Sequence, residues 1–208
     1  MTTKRHIMID LETLGTFMNA PVITIGACFF NPMTGEIGDT FYERIDIAEA
    51  MKYGRADPET LRWWLTQNPD AQKELAKKGN PAAEVLEAFK AFYKKSQDGQ
   101  VWGNGPTFDI TMLDYQFDRV LGEKAPWPFW NVRCVRTVVE MAEGIVKRPA
   151  HYTRKDVVHS ALDDCIFQVE YVSKMWRALI GPATGQDLSK LAATVAHSPA
   201  ADEDDDFL

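Results

Sequence analysis

Short apolar runs rich in β-branched residues open the chain and predict three strands. Residues 5–10 and 22–30 have the length and composition of strands, and residues 40–45 repeat the pattern. A turn signal at residues 31–35 (NPMTG) separates the second run from the third. Because these runs are joined by short connections, we predict an antiparallel meander at the start of the fold.

Helical patterns follow residue 56 and alternate with short strands. Asp57 and Pro58 are an N-cap and a first-turn proline, which begin a helix. The remaining predicted elements are a helix over residues 81–96, a strand at 101–102, a helix carrying Ile110 to Leu121, a strand near 131–135, a helix over 136–144, and a helix over 160–180 that stops at Gly181-Pro182. This order predicts an α/β domain with a mixed, five-stranded sheet flanked by helices.

The composition is that of one globular domain. The chain has 208 residues, of which 45% are apolar and 25% are charged. We predict a single domain over residues 1–197 and a disordered acidic tail over residues 198–208. The net charge of −7 by itself disfavours a nucleic-acid partner, but five acids lie at residues 202–206, and the other 23 basic and 25 acidic residues leave −2. Charge therefore does not exclude such a partner.

Several classes of protein do not fit this sequence. No apolar run reaches the roughly 20 residues that cross a bilayer. The first six residues, MTTKRH, lack the apolar stretch of a secretory signal. Cys28, Cys134 and Cys165 are odd in number and form no CxxC pair, so they predict free thiols rather than disulfides or a zinc site. We therefore expect a cytoplasmic protein that does not contact a membrane.

Two carboxylates follow the first apolar run directly. Asp10 and Glu12 are two residues apart, so on a strand they share one face, while Ile7, Ile9 and Leu11 share the other. Two carboxylates this close repel each other unless a cation or a shared proton relieves them. A strand that emerges into a solvated turn would also explain an isolated pair of this kind, so the choice depends on the other acids.

Three more titratable residues follow strands or begin helices. Asp109 comes just after the strand at 101–102, near the start of a helix. His159 and Asp164 lie at the head of the last helix, where five residues correspond to about 500° of rotation, so their side chains converge only if His159 lies in the preceding loop. Each residue alone has an ordinary explanation as a helix cap, a helix-start charge or a surface residue. Together, four acids and one histidine match two-metal phosphodiester hydrolysis.

The donor set favours hard divalent cations. Carboxylate oxygens suit Mg²⁺ or Mn²⁺, and no group of Cys or His residues suits zinc. Two such ions about 3.5–4 Å apart activate a water and neutralise the leaving oxygen of a phosphodiester. With a reference pKa of about 6.5, His159 is suited to accept the proton of that water.

In their order and spacing, Asp10-x-Glu12, Asp109 and His159-x₄-Asp164 resemble the three exonuclease motifs of the DEDDh 3′→5′ exonucleases. The resemblance implies an RNase H-like fold, in which three antiparallel strands are followed by parallel βα units. It also implies that the four acids are ligands of two Mg²⁺ or Mn²⁺ ions and that His159 is the general base.

Smaller motifs point to one branch of this family. The segments 60–67 (TLRWWLTQ), 102–109 (WGNGPTFD) and 135–137 (VRT) look like those of the compact exonucleases of phages, prophages and some bacterial chromosomes. The two tryptophans of the first segment are expected to pack in the core or in an interface. In all, the resemblance covers most of residues 5–180.

The resemblance also implies residues that hold the terminal nucleotide. Thr13 and Leu14 follow the first motif, and Leu14 would pack on the terminal base. The familiar first motif is DxETTG, whereas this chain has Thr13-Leu14-Gly15, a change that leaves the metal ligands intact. In the family's last motif the ligand is five residues after the histidine, which selects Asp164 over Asp163.

Residues outside these motifs complete the predicted substrate site. A tight turn at residues 103–105 brings the backbone and Asn104 to the substrate. Phe108 either stacks on a base or packs in the core. Arg154 belongs to the densest basic stretch, residues 147–155, which we interpret as an arm that follows the phosphate backbone.

The predicted function is that of a metal-dependent 3′→5′ exonuclease that releases nucleoside 5′-monophosphates from single-stranded DNA or RNA, with DNA slightly favoured. A 3′→5′ exoribonuclease acting on short or 3′-overhang RNA is the alternative. A non-catalytic nucleic-acid-binding or adaptor module is the alternative from another class. The resemblance implies a homodimer. For residues 202–208, a solubilising role and a docking role toward a protein partner both stay open.

Overall fold

Five strands form one mixed sheet. The computed structural model describes residues 5–146 and 160–185, with side chains as far as residue 180. The strands are His6–Thr13 (β1), Val22–Phe30 (β2), Ile37–Arg44 (β3), Gln100–Gly103 (β4) and Val132–Cys134 (β5). Their order is β3-β2-β1-β4-β5, with antiparallel pairs β1–β2 and β2–β3 and parallel pairs β1–β4 and β4–β5. The predicted architecture of antiparallel strands followed by parallel ones is confirmed.

Helices pack on this sheet. Those in the described residues are Ile47–Tyr53 (α1), Pro58–Thr66 (α2), Pro69–Ala76 (α3), Ala82–Lys94 (α4), Asp109–Gln116 (α5), Val135–Met141 (α6) and Ala161–Gly185 (α7). Asp57 caps α2 by accepting a hydrogen bond from the backbone N–H of Glu59, and Pro58 is the first helical residue, both as predicted. In the described part of the chain, no helix is both long enough and apolar enough to cross a membrane.

The fold differs from the sequence prediction at three helices. α1 and α3 lie where the sequence predicts no helix; both are short and mostly polar, and both begin at side-chain caps, Asp46 and Asn68. α7 does not stop at Gly181-Pro182 but continues to Gly185. A proline removes one N–H from the hydrogen-bond ladder, and a helix of 25 residues keeps the others.

The two faces of β1 enter two different hydrophobic clusters. Ile7, Ile9 and Leu11 pack in the cluster that includes α4 and α5, and each is at most 5% exposed. Met8 faces the other way and packs with Val169 in the cluster beneath α7. Asp10 and Glu12 follow Met8 at intervals of two, so they lie on the face that α7 covers.

Gly26 allows α7 to approach the sheet closely. It pairs with Asp10 across the β1–β2 ladder. A Cβ added at Gly26 would lie 2.3 Å from the carbonyl carbon of Ala161 and 2.4 Å from the nitrogen of Leu162, so no other residue fits without moving backbone. The Sγ of Cys165 lies 3.3 Å from the carbonyl oxygen of Gly26. The first turn of the last helix therefore rests directly beside Asp10.

Candidate active site

Three carboxylates from the two ends of the chain meet at this contact. Oxygen atoms of Asp10, Glu12 and Asp164 all lie within 4.8 Å of one another. The first two come from β1 and the third from the opening turn of α7, where its N–H bonds to the carbonyl of Ser160 at 3.0 Å. Asp164 is partly buried, whereas the neighbouring Asp163 is exposed. The structure thus brings Asp164, and not Asp163, to the strand carboxylates.

Asp109 joins this group from the start of α5. Its side chain is 4% exposed, and the backbone N–H groups of Leu11 and of Asp109 itself act to lower the pKa of its carboxyl group, so the carboxylate lies beside β1. Gly103, at the end of β4, leaves room for it, because a Cβ there would lie 3.1 Å from Asp109 Oδ2. The four predicted acids therefore lie near one end of the central strands of the sheet.

Burial and mutual repulsion raise the pKa values of these carboxyl groups. The pKa of Glu12 rises to about 8, first because of burial and then because of Asp164 and Asp109. Burial raises the pKa of Asp109 to about 7, opposed by the backbone hydrogen bonds and by Arg136. Burial and the neighbouring carboxylates raise the pKa of Asp10 well above its ordinary value. The site is therefore short of positive charge.

This set of donors fits divalent metal ions. Hard carboxylate oxygens from Asp10, Glu12 and Asp164 are close enough to share one cation, and Asp109 is held beside them. Such oxygens are preferred ligands of Mg²⁺ and Mn²⁺. A bound cation would relieve the repulsion that raises the pKa values of these groups.

Gln168 supports Asp10 from α7 and was missed by the sequence analysis. Its Nε2 donates a hydrogen bond of 2.8 Å to Asp10 Oδ1, and its side chain is 1% exposed. A buried donor of this kind fixes the orientation of a metal-binding carboxylate. The signal in the sequence is its position four residues after Asp164, which puts both side chains on the same face of α7.

Arg44 approaches the same face from β3 and was also missed. Glu12 pairs with Thr24 on β2, and Thr24 pairs with Arg44 on β3, so the three form a row across the sheet. The Nη1 of Arg44 lies 3.4 Å from Thr24 Oγ1 and 3.5 Å from Glu74 Oε2. Its charge opposes the rise in the pKa of Glu12. This row depends on strand register, which the sequence does not show.

A pocket of about 540 Å³ adjoins Glu12. Trp63, Trp64 and Phe108 contribute aromatic walls. Trp64 is 3% exposed and its Nε1 donates to the carbonyl oxygen of Thr13 at 2.9 Å, so it packs in the core as predicted. Trp63 is 44% exposed, lines the pocket and contacts the Trp64 ring at a centroid distance of 5.0 Å. Phe108 both lines the pocket and packs against the core.

The other predicted substrate residues have different surroundings. Thr13 lines the pocket, and its hydroxyl donates to the carbonyl of Gly15 at 2.6 Å. Leu14 is 3% exposed and packs in the core cluster. Asn104 lies partly buried in the bend after β4. His159 and Arg154 lie outside the described residues, as does the acidic tail.

Arg136 brings a positive charge to the rim of the site. It lies in the first turn of α6, and its side chain is exposed. The guanidinium carbon is 3.5 Å from the position of a Cβ built on Gly105, which has a φ of +108°. Its charge lowers the pKa of Asp109. In the sequence, Arg136 is marked only as part of the family segment 135–137, which assigns it no role.

From the raised pKa values of the carboxyl groups, we expect the free energy of unfolding to depend on pH and on bound metal ions. The pKa of Glu12 is about 8 and that of Asp109 about 7 in the fold, against about 4 in an unfolded chain. Between about pH 4 and pH 8 the folded state therefore holds more protons than the unfolded state, so the free energy of unfolding of the metal-free protein falls as pH rises. Added Mg²⁺ should restore stability, most strongly near pH 8.

Urea unfolding in EDTA and in Mg²⁺, at about pH 5 and about pH 8, measures this dependence. Glu12→Gln should flatten the dependence on pH in EDTA. Asp118→Asn, an exposed acid on the π-helical turn Phe117–Leu121, should leave it unchanged. If Mg²⁺ moved the unfolding midpoint equally at both pH values, the carboxylates would not be the source of the effect.

Comparison of the sequence with known proteins gives one family and one phage relative. The sequence profile of the Rv2179c-like family, described as the 3′-5′ exoribonuclease Rv2179c-like domain, matches residues 5–176. An exodeoxyribonuclease of Enterobacteria phage T4 is 25% identical over 189 residues, which are 76% of this chain and 83% of the phage protein. The family match covers every strand of the sheet and the first part of α7.

Comparison of the structure with solved structures confirms the RNase H-like fold. E. coli exonuclease I in complex with a 5cy-dT13 oligonucleotide has a TM-score of 0.64 at 15% identity, and the match covers 93% of this chain and 46% of that one. The chain thus spans about half the length of exonuclease I. The nuclease domain of 3′hExo, a DEDDh family member bound to rAMP, has a TM-score of 0.51 at 15% identity, with 85% of this chain and 93% of that domain covered.

Proposed function

Because the chain belongs to the family of the 3′-5′ exoribonuclease Rv2179c-like domain, we propose that it removes nucleotides one at a time from the 3′ end of single-stranded nucleic acid. The products would be nucleoside 5′-monophosphates. The observation that carries this proposal is the meeting of Asp10, Glu12 and Asp164 beside an aromatic-lined pocket. The carboxylates supply the charge for the chemistry, and the pocket has room for the terminal nucleotide.

The four acids are proposed to hold the metal ions. Asp10, Glu12 and Asp164 would hold divalent cations, Mg²⁺ or Mn²⁺, with Asp109 completing a two-ion site. When bound, such ions activate the attacking water and neutralise the leaving oxygen. Gln168 fixes the Asp10 carboxylate through a hydrogen bond of 2.8 Å.

His159 is proposed as the general base. In the sequence it comes directly before Ser160, and α7 begins at Ala161. The proposal requires that His159 approach Asp164 from a loop before this helix, because five residues within a helix would turn the two side chains apart. Histidine side chains commonly act as general bases toward water.

The pocket next to Glu12 is proposed to bind the terminal nucleotide. Trp63 and Phe108 offer aromatic surface on which a base stacks, a contact worth about 1–3 kcal/mol per base in single-strand channels. Thr13 lines the pocket together with Glu12. Asn104 and Arg154 remain proposed substrate contacts, the second against phosphates. The side chain of Leu14, predicted to pack on the terminal base, is 3% exposed in the core cluster and offers little surface to a base.

Arg136 is proposed to bind a substrate phosphate at the rim of the site. Its exposed guanidinium lies beside the turn at Gly105 and acts on the charge of Asp109. Arg136→Gln should raise KM for an oligonucleotide about fivefold and reduce the salt dependence of KM, since one phosphate contact is lost. Steady-state kinetics at several salt concentrations measure both effects. Arg119→Gln, an exposed arginine on the π-helical turn, is the matched control. An unchanged salt dependence in Arg136→Gln would contradict the assignment.

Two candidates are proposed for the substrate, DNA and RNA, which differ in their sugar. The name of the phage relative favours DNA, which we place first. The family is named for a 3′-5′ exoribonuclease domain, which makes RNA the second candidate. Short strands and 3′ overhangs are the RNA substrates that we propose. Discrimination between them requires contacts to the 2′-hydroxyl group.

A time course with matched DNA and RNA oligonucleotides, each labelled at the 5′ end, tests the function and the sugar together. Shortening from an open 3′ end, blocked by a 3′-terminal cap and abolished by EDTA, is the expected result in Mg²⁺ or Mn²⁺. Binding of the oligonucleotide without EDTA-sensitive shortening would overturn the enzymatic proposal and favour a non-catalytic binding module. The three cysteines are free, which agrees with the proposed cytoplasmic location.

A further inference from the structure

A second pocket, of about 630 Å³, lies at the end of the sheet opposite to the carboxylates. We name it the cationic pocket; its walls include Arg5, His6, Phe30, Gln100, Arg133 and Trp176. Asp10 is four residues from His6 along β1, a distance of about 13 Å. The pocket is therefore separate from the site that hydrolyses nucleic acid.

The charge of this pocket is positive. Arg5 and Arg133 both line it, and no Asp or Glu side chain does so in the described parts of the chain. The guanidinium of Arg133 is held in place because its Nη1 donates to the carbonyls of Trp130 and Val132, at 2.7 and 2.8 Å. A fixed guanidinium without a lining carboxylate is suited to an acidic ligand.

The floor of the pocket is aromatic. His6 lies between Trp102, Phe30 and Trp176, with ring centroids 5.8, 5.6 and 6.5 Å away. Trp102 Nε1 donates to His6 Nδ1 at 2.9 Å, so the neutral ring carries its proton on Nε2. Burial and Arg133 lower the pKa of His6 to about 4. The pocket thus joins the fixed guanidinium of Arg133 and the exposed Arg5, whose Nη1 donates to the Lys95 carbonyl at 3.3 Å, to an uncharged aromatic surface. This combination suits an acidic peptide that also carries an aromatic or aliphatic side chain.

One segment of this chain has that chemistry. Residues 202–206 are five consecutive acids, and Phe207 and Leu208 follow them. The segment is also tethered within reach. Trp176 lies on α7, which continues nine residues to Gly185, about 14 Å. The sixteen residues from 186 to 201 span up to about 54 Å when extended, which is enough to return to the pocket.

We propose that residues 202–208 dock in the cationic pocket of their own chain, with the acids facing Arg5 and Arg133 and the apolar residues against Phe30 and Trp176. The contact is intramolecular, so tethering favours it over a free peptide of the same sequence. Because the pocket is remote from Asp10, docking there keeps the acidic segment away from the carboxylate site, where it would compete with nucleic acid for cations.

Fluorescence polarisation of a labelled peptide, DEDDDFL with an amidated end, tests this docking in EDTA, so that nuclease activity plays no part. Two full-length chains are compared. One is the native chain; the other is a neutral-tail chain in which the five acids are replaced by amides, as Asp202→Asn, Glu203→Gln, Asp204→Asn, Asp205→Asn and Asp206→Asn. The neutral-tail chain should bind the peptide at least about tenfold more tightly, because its own tail no longer fills the pocket.

Variants of the neutral-tail chain locate the contact. Arg133→Glu should weaken peptide binding at least about tenfold. Arg5→Glu, at an exposed position, should do the same if Arg133→Glu disturbs the fold. Arg119→Glu carries the same change of charge elsewhere and should leave binding intact. A peptide with Ala in place of Phe207 and Leu208 should bind more weakly.

Three results would overturn the proposal. The peptide does not bind the neutral-tail chain, or it binds the native and neutral-tail chains equally, or the Arg119→Glu control loses as much affinity as Arg133→Glu. None of these results measures hydrolysis, so a failure of the docking proposal would leave the proposed enzymatic function untouched, and the reverse also holds.

Discussion

Asp10→Asn is expected to lower kcat for an oligonucleotide by about 10³-fold or more, because it removes the charge at the centre of the cation site while keeping its shape. An oxygen of Asp10 lies within 4.8 Å of oxygens of Glu12 and Asp164, and Asp10 Oδ1 accepts a hydrogen bond from Gln168. Single-turnover measurements in saturating Mg²⁺ would show the effect on the chemical step.

The same substitution should make the metal-free protein more stable. The pKa of Asp10 lies well above its ordinary value because of burial and neighbouring carboxylates, so its charge opposes folding at neutral pH. Loss of activity with a raised unfolding midpoint in EDTA identifies a functional carboxylate rather than a structural one. Asp118→Asn, an exposed acid, should change neither quantity. A fall in both stability and activity for Asp10→Asn would show that the site is misassigned.

His159→Ala is expected to lower kcat by about 10²–10⁴-fold with a small change in KM, the usual contribution of a general base. The acidic limb of the kcat–pH profile should disappear in the variant, because the group whose deprotonation it reports is gone. His151→Ala, in the neighbouring basic stretch, is the matched control and should retain the native pH profile. Turnover of His159→Ala at the native rate would exclude the proposed mechanism.

The positions of the four acids were predictable because each depends on local geometry. Asp10 and Glu12 share a face by the period of a strand, and Asp109 and Asp164 stand where a helix begins after a strand or loop. Their partners were not predictable. Arg44 meets Glu12 only through the register of three strands, and strand register depends on which pairs form in the fold.

Helices and strands with a weak hydrophobic pattern were predicted less well than those with a strong one. The nine-residue run of β2 is buried throughout, and its predicted ends match the structure. α1 and α3 have seven and eight residues and one buried residue each, so no hydrophobic periodicity marks them. The sequence signals for these helices are their N-cap residues, Asp46 and Asn68, and a single polar N-cap residue is a weak indication of a helix.

The contact between Gly26 and the first turn of α7 also determines the order in which the catalytic centre forms. The carboxylates of β1 are made early in synthesis, but Asp164 reaches them only after the last helix has left the ribosome and docked on β2. A nascent or prematurely terminated chain therefore lacks one of the four carboxylates. On the proposed mechanism, the chain gains nuclease activity only after α7 has docked on the sheet.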